Sequence, residues 1–90
     1  MPKNDNSCEI QKYEYIYFQE DESYQGRKTK IWFCRNNKTH AYLGEVKWYG
    51  AWRQYCYFAH GGSIYNWSCL EDIRHFLKLQ NKRREKERKK

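Results

Sequence analysis

Apolar and polar side chains alternate most regularly between Tyr42 and Phe58, on either side of Gly50. The segment is rich in aromatic residues, which favour a pleated, half-buried surface, so it predicts a β-hairpin with Gly50 in its turn. Even-numbered positions are mostly apolar, and odd-numbered positions are mostly polar or amphipathic. Only a turn that sets Trp48 opposite Trp52 keeps these two sets on separate faces. We therefore expect a three-residue or bulged turn, with even-numbered side chains facing the core.

Three further segments carry strand-like patterns. Residues 9–18 alternate with period two and predict a first strand, although a short helix is the competing interpretation. Residues 28–35 are apolar on both faces around Trp32, which predicts a central or doubly covered strand. Residues 64–65 are expected to add a brief edge strand.

A helix is predicted to begin near Ser68. Ser68 and Glu71 have the spacing of a capping box, and Asn66 is the alternative cap. Beyond them, apolar residues at helical spacing form one stripe that should pack on the sheet. These residues are Leu70, Ile73, Phe76 and Leu77. The stripe ends at Leu79, after which the chain either continues as a projecting cationic helix or frays, so we expect removal of residues 81–90 to leave the fold intact.

These elements predict an α+β fold, in which three or four antiparallel strands carry one C-terminal helix packed on a face. Ninety residues suffice for one domain. We expect a disordered N-terminus at residues 1–8, a single α+β domain at 9–80 and a basic C-terminal tail at 81–90. Four Trp, nine Tyr and four Phe, set against few aliphatic residues, predict a core built largely from aromatic rings.

The net charge of +7 is unevenly distributed. Residues 1–26 contain two basic and six acidic side chains, residues 27–80 contain nine and three, and residues 81–90 contain seven and two. This asymmetry favours a polyanionic partner for the second half, and the alternative is a tail that only solubilises the chain. No apolar run reaches the roughly 18 residues of a membrane span, and no signal peptide is present, so we expect a cytoplasmic protein without a membrane partner.

The cysteines give little support for catalysis or metal binding. They stand at positions 8, 34, 56 and 69 without a C-x-x-C pair, which predicts reduced and partly buried thiols, with two disulfides as the alternative. Cys56 and His60 alone approach the spacing of a zinc pair, and we interpret Cys34 and Cys56 as small core residues. Cys69 lies in the predicted first helical turn, but no orienting acid or oxyanion hole accompanies it. We therefore predict a non-enzymatic chain without metal or cofactor.

A resemblance covers about half of the chain. Residues 48–58, followed by Cys69, Leu70 and Ile73, resemble a family of small uncharacterised proteins from bacterial and phage genomes, with the pattern W-Y-x-x-W-R-x-Y-C-x-F and then C-L-x-x-I. The resemblance implies the hairpin-plus-helix unit and a phage origin, but it carries over no activity and no functional residue. Residues 59–62 replace a proline-containing segment of that family, and the tail after Leu79 lies outside the pattern.

The outward hairpin face and the tail together predict nucleic-acid binding, DNA or RNA. Single strands are bound by aromatic side chains that stack on bases and by cations that follow the phosphates. The predicted binding residues are Lys47, Tyr49, Arg53, Tyr55, Tyr57, Lys82, Arg83, Arg84 and Lys86. Two ordinary interpretations compete with binding. The outward hairpin face is an ordinary solvent-exposed face of an antiparallel sheet, or the tyrosines at 13, 15 and 17 pack over that face and bury it. The alternative function is a protein-interaction module, such as a phage-encoded inhibitor or accessory factor that binds a host protein.

Overall fold

Five strands and one helix follow one another in the structure, a computed structural model that describes residues 10–24 and 28–88. They are β1 (Ile10–Lys12), β2 (Ile16–Glu20), β3 (Trp32–Asn36), β4 (Tyr42–Tyr49), β5 (Gln54–Ala59) and α1 (Trp67–Arg88). Each strand pairs antiparallel with the next one in the chain, so the sheet order is β1-β2-β3-β4-β5. The α+β class and the C-terminal helix on one sheet face are confirmed, but the sheet has five strands rather than three or four.

Two predicted strands differ from the observed ones. The segment 9–18 was expected to form one strand, whereas its described part contains β1, a turn and the start of β2. Residues 64–65 were expected to form an edge strand, but they lie in an irregular connection between β5 and α1. The predicted disordered N-terminus, residues 1–8, lies outside the described residues.

The turn between β1 and β2 is held by Asn37, which lies in the connection between β3 and β4. The N–H of Tyr13 donates to the carbonyl of Ile16 at 2.8 Å and closes the turn. Asn37 Nδ2 donates to the carbonyls of Tyr13 at 2.7 Å and Glu14 at 2.9 Å, and its backbone N–H donates to the carbonyl of Tyr15 at 2.9 Å. Because these partners are distant in sequence, the local alternation did not indicate the turn.

The register of the β4–β5 hairpin differs from the predicted one. Trp48 lies opposite Tyr55, and Tyr49 lies opposite Gln54, so the turn contains the four residues 50–53. An even-numbered turn exchanges the faces, so the core receives odd-numbered side chains from β5 and even-numbered side chains from residues 44–48 of β4. The expectation that Trp48 faces Trp52 across an odd turn is therefore wrong.

Burial of two tyrosines accounts for this register. Tyr55 is 5% exposed and meets the rings of Trp32 and Trp48, each at a centroid distance of 5.4 Å. The predicted register would have placed Gln54 in the core instead, with far less apolar area than a tyrosine ring. The sequence argument counted tyrosine as an outward residue because of its hydroxyl, but a buried tyrosine needs only one partner for that group. Here the Tyr55 hydroxyl accepts a hydrogen bond from the N–H of Lys30 at 3.1 Å.

Gly44 makes room for the second of these tyrosines, Tyr57. A Cβ at Gly44 would lie 2.5 Å from the hydroxyl oxygen of Tyr57 and 2.7 Å from the carbonyl oxygen of Phe58. The hydroxyls of Tyr57 and Tyr65 share a hydrogen bond of 2.8 Å, and Tyr65 donates to the carbonyl of Leu43 at 2.8 Å. A larger residue at position 44 would therefore displace Tyr57 and this chain of hydrogen bonds.

The core between the sheet and α1 is rich in aromatic rings, which supply four of its nine buried apolar residues in the described ranges. Its buried residues come from the sheet and from one side of the helix. They are Ile16, Phe18, Trp32, Cys34, Val46, Tyr55, Cys69, Ile73 and Phe76. Phe76 stacks on Phe18 with a centroid distance of 4.0 Å and meets Trp32 edge to face at 5.2 Å. Phe76 thus joins the helix to two neighbouring strands.

The start of α1 differs from the capping-box prediction. Asn66 is the cap, because its Oδ1 accepts a hydrogen bond of 2.7 Å from the N–H of Cys69, three residues later. Leu70 was placed on the packing stripe, but it is 53% exposed, and Cys69 occupies the core position beside it. Ile73 and Phe76 are buried as predicted. No described segment combines the length and apolar character of a membrane-spanning helix.

The helix continues without interruption through the predicted boundary between residues 80 and 81. Gln80 is 3% exposed, and Asn81 pairs with the outer edge of β5. The Tyr55 N–H donates to Asn81 Oδ1 at 2.7 Å, while Asn81 Nδ2 donates to the Tyr55 carbonyl at 3.3 Å. This amide occupies the hydrogen-bonding groups that an edge strand otherwise presents to solvent. The first turn of the predicted tail is therefore part of the packed structure.

We expect Asn81→Ala to lower the free energy of unfolding by about 1–2 kcal/mol, because it leaves the half-buried Tyr55 N–H without its partner. Urea denaturation measures the change. Lys82→Ala is the matched control, since this neighbouring side chain is exposed and should shift stability by less than about 0.5 kcal/mol. Equal stability of the two variants would show that the predicted tail projects from the fold.

The stability of the core should also depend on pH through Cys34. Burial raises the pKa of this thiol from 9.0 to about 11. The unfolded chain then loses the proton first, so stability falls as the pH rises through this interval. Between about pH 8 and pH 10, the chain should lose about 1 kcal/mol more than the Cys34→Ala variant, measured by urea denaturation under reducing conditions. Identical losses would contradict the buried, neutral thiol.

Candidate nucleic-acid interface

A cleft of about 400 Å³ lies between the second half of α1 and the β4–β5 turn. We call it the basic cleft, and its walls consist of Trp48, Arg53, Gln54, Lys78, Asn81, Lys82, Arg84 and Glu85. Four of these side chains are cationic, and one is a carboxylate. The excess of positive charge makes the basic cleft suited to an anionic ligand.

Local geometry brings these cations together from two elements. Lys78 and Lys82 are four residues apart on α1 and therefore lie on the same side of the helix. Arg53 ends the turn with a φ of 54°, and its N–H donates to the carbonyl of Tyr49 at 2.9 Å. The hydrogen bonds of the Asn81 side chain to the backbone of Tyr55 hold α1 beside the turn. The width of the basic cleft is thus set by the contact between the Asn81 amide and β5.

Three of the four cations are available for a ligand. Arg53, Lys78 and Lys82 form no ion pair with any residue in the described ranges. Arg84 differs, because its guanidinium lies 5.7 Å from the ring centroid of Trp48 and 3.3 Å from a carboxylate oxygen of Glu87. An anion can therefore bind the first three side chains without displacing an ion pair seen here.

A second basic cleft, of about 120 Å³, lies on another side of the same helical segment. Its walls consist of Lys28, Lys30, Trp32, Tyr55, Gln80, Arg83, Arg84 and Glu87. Arg84 belongs to both clefts. The buried Nε of Arg84 and the buried Nε1 of Trp32 have no hydrogen-bond partner among the described residues, and both are donors. Positive charge thus flanks the second half of α1 on both sides.

The sheet face opposite α1, which we call the open face, has a different character. No described helix or strand covers it. Its side chains are Ile10, Lys12, Tyr17, Gln19, Phe33, Arg35, Tyr42, Glu45, Lys47, Tyr49, Gln54, Cys56 and Phe58. Cations lie over two of its rings, with Lys47 Nζ 4.7 Å from the centroid of Phe58 and the Arg35 guanidinium 5.9 Å from that of Phe33. The open face therefore combines half-buried aromatic rings with basic side chains.

The structure divides the predicted binding residues between these surfaces. Arg53, Lys82 and Arg84 meet in the basic cleft. Lys47 and Tyr49 lie on the open face, where Lys47 forms a 3.0 Å ion pair with Glu45 and Tyr49 is 39% exposed. The single aromatic and basic surface expected from the sequence is therefore replaced by two surfaces that meet at the β4–β5 turn.

The other predicted residues lie elsewhere. Arg83 lines the second basic cleft, and Lys86 is exposed on α1. Tyr55 and Tyr57 were expected to face solvent, but the register places both on the helix side of the sheet. Burial raises the pKa of each, so both hydroxyls stay protonated at neutral pH. Their assignment to an outward binding surface is therefore wrong.

The tyrosines at 13, 15 and 17 do not form a common cover for the open face. The Tyr13 ring lies against Phe18 on the helix side, with a centroid distance of 5.9 Å, and its hydroxyl shares a 2.8 Å hydrogen bond with His75 Nδ1. Tyr15 is 45% exposed. Tyr17 lies on the open face, where its hydroxyl shares a 2.9 Å hydrogen bond with His40 Nδ1. Only Tyr17 thus joins the open face.

Two features of the site were missed in the sequence. Trp48 was assigned to the core, yet its ring both packs there and lines the basic cleft beneath Arg84. Lys28 and Lys30 stood in a predicted strand, but they precede β3 and line the second basic cleft. The spacing of Lys78 and Lys82 was the one local signal that indicated a common basic side of α1.

The described residues give little basis for other chemistry. Cys34, Cys56 and Cys69 are free thiols. Cys34 is buried as predicted, whereas Cys56 is half-buried on the open face and not a core residue. Burial keeps the pKa of Cys34 near 11, so it is a weak nucleophile at neutral pH. Within the described ranges, no three His, Cys, Asp or Glu side chains are grouped to hold a metal ion.

Comparison with known proteins adds no relative: no family model, no curated protein and no solved structure matches the chain. The resemblance of residues 48–73 to a family from bacterial and phage genomes stays a prediction. The function is therefore argued from the geometry of the two surfaces.

Proposed function

We propose that this chain is a small nucleic-acid-binding module that holds the phosphate backbone in the basic cleft. One observation carries the proposal: Arg53 from the β4–β5 turn converges on the same cleft as Lys78 and Lys82 from α1, without ion pairs in the described structure. Lys and Arg side chains that neutralise phosphates release bound counterions, which supplies the sequence-independent part of nucleic-acid affinity.

The extent of the charge favours a polymer over a single small anion. The second basic cleft continues the cationic surface around α1 and adds Lys28, Arg83 and Lys30, whose Nζ lies 3.9 Å from a carboxylate oxygen of Glu20. Arg84 connects the two clefts, and Lys86 extends the surface further along the helix. Cations spread in this way match a ligand with several phosphates, since each pairs with a separate charge along the backbone.

The arginines of the two clefts support the same choice of ligand. Arg53 lines the basic cleft, and Arg83 lines the second basic cleft. Phosphate oxygens are acceptors, and Arg binds them with charge-assisted hydrogen bonds that are stronger than neutral ones.

A second candidate function, a protein-interaction module, is favoured by three exposed apolar side chains at and just before the start of α1. Ile64 is 88% exposed, Trp67 is 77% exposed and Leu70 is 53% exposed. Exposed apolar side chains that cluster together are a feature of interaction surfaces. This function has priority if the chain binds no oligonucleotide at low salt.

We expect Arg53→Ala and Lys82→Ala each to weaken binding of a labelled oligonucleotide, and each to reduce the slope of log affinity against log salt by about one. Fluorescence anisotropy over a salt series measures both quantities. Arg74→Ala is the matched control, because Arg74 is an exposed arginine of the same helix that lies outside both basic clefts.

The proposal would be contradicted by two results. One is the absence of any salt-dependent binding at low ionic strength. The other is an equal loss of affinity in Arg53→Ala and Arg74→Ala, which would mean that only the net charge matters and that the basic cleft has no special role.

A further inference from the structure

A hollow of about 300 Å³ lies beside the β4–β5 turn and borders the open face. We call it the aromatic hollow, and its walls consist of Tyr49, Trp52, Cys56, Tyr57 and Phe58. Trp52 is 66% exposed and Tyr49 is 39% exposed. Large aromatic side chains at such exposure add little to the free energy of folding, since most of their apolar area stays in water. A ligand that covers them would remove that area from water and gain the corresponding free energy.

The rings of the aromatic hollow are not stacked on one another. Tyr49 meets Trp52 at a centroid distance of 5.2 Å with an interplanar angle of 86°, and it meets Phe58 at 6.0 Å with an angle of 75°. These edge-to-face contacts fix the rings as separate walls of the hollow. A flat ligand can therefore lie against a ring without first breaking a stacked pair.

The aromatic hollow and the basic cleft meet at the turn itself. Trp52 lines the hollow, and the next two residues in the chain, Arg53 and Gln54, line the basic cleft. Tyr49 and Gln54 are opposite each other in the last pair of the β4–β5 ladder, so only four residues separate them in the turn. Tyr49 lines the aromatic hollow and Gln54 lines the basic cleft, so the two sites are adjacent. Lys47 lies on the hollow's side, with its Nζ 4.7 Å from the centroid of Phe58, but its charge is paired with Glu45 at 3.0 Å, so among the described residues the unpaired cations at the turn are those of the basic cleft.

This arrangement matches the two halves of a nucleotide. Its phosphate is an anion, and its base is a flat ring system that stacks on aromatic side chains. The base faces of a duplex are already stacked on neighbouring pairs, so a side chain can reach them only by separating two pairs, whereas an unpaired base offers its face without that cost. We propose that the aromatic hollow binds an unpaired base of a strand whose phosphates lie in the basic cleft, which makes single-stranded nucleic acid the ligand.

The inference rests on the proposed function and assigns a role to Trp52, which the sequence pattern had placed in the core. Its test compares the affinities of wild type and variants for a labelled single-stranded oligonucleotide and for the duplex of the same sequence. We expect wild type to prefer the single strand. Trp52→Ala should weaken single-strand binding by about 5- to 100-fold and leave duplex binding unchanged. Trp52→Tyr should retain most of the affinity, since it keeps a ring.

Trp67→Ala is the matched control, because Trp67 is also largely solvent-exposed, at 77% against 66% for Trp52, and lies at the end of α1 away from the basic cleft. It should leave both affinities unchanged, and urea denaturation should give Trp52→Ala and Trp67→Ala similar stability. Lys82→Ala should instead weaken single-strand and duplex binding alike, since a phosphate contact does not depend on base pairing.

Two outcomes would overturn the inference, and they are distinguishable. If salt-dependent binding persists but Trp52→Ala behaves like Trp67→Ala, the aromatic hollow has no role in binding, and the basic cleft alone stands. If wild type binds duplex as tightly as single strand, the ligand is not an unpaired strand. Loss of all salt-dependent binding would instead remove the proposed function together with this inference.

Discussion

The pairing of Trp48 with Tyr55 across the β4–β5 ladder is the contact on which the rest of the structure depends. It fixes an even-numbered turn, and it therefore decides which side chains of β5 face the helix. With Tyr55 inward, its ring meets those of Trp32 and Trp48. Trp32 in turn meets Phe76 of α1, so the aromatic contacts run from β5 to the helix. A shift by one residue would reverse the faces of β5 and leave Tyr55 in solvent.

The same register creates both surfaces of the candidate site. The edge of β5 at Tyr55 receives the amide of Asn81, so α1 is held beside the turn and the basic cleft forms between them. On the other side of the sheet, Phe58 comes beside Tyr49, and Trp52 is left exposed in the turn. A core constraint thus determines where the cations and the exposed rings lie. The proposed binding of a single strand follows from that placement.

The general fold could be predicted from local patterns, and the register could not. Helical spacing identified Ile73 and Phe76 as core residues, and alternation identified the hairpin around Gly50. The alternation did not resolve the turn length, because the turn length decides which face Tyr55 takes. Tyrosine is compatible with a solvent-exposed face and also with a core, provided that its hydroxyl has a partner. Lys30 supplies that partner for Tyr55, and it lies in a different segment of the chain. Such long-range partners have no local signature.

The candidate site was predictable only in its residue types. Basic residues of the tail and one arginine on the outward hairpin face were identified, and Arg53, Lys82 and Arg84 do meet. Their meeting depends on the seating of α1 by Asn81, whose long-range contact no spacing rule indicates. Trp52 was assigned inward by the same parity argument that assigned Tyr55 outward. One wrong register therefore accounts for both errors.

The pairing of Trp48 with Tyr55 is tested most directly by NMR spectra of the full chain, which detect cross-strand contacts between α-protons. The Tyr55 N–H bonds to Asn81, so Trp48 and Tyr55 do not exchange backbone hydrogen bonds, and their Cα atoms should be about 4.5 Å apart. The account predicts a strong contact between the α-protons of Trp48 and Tyr55. A contact between the α-protons of Trp48 and Trp52 would contradict it, because it would place Tyr55 on the face away from the helix.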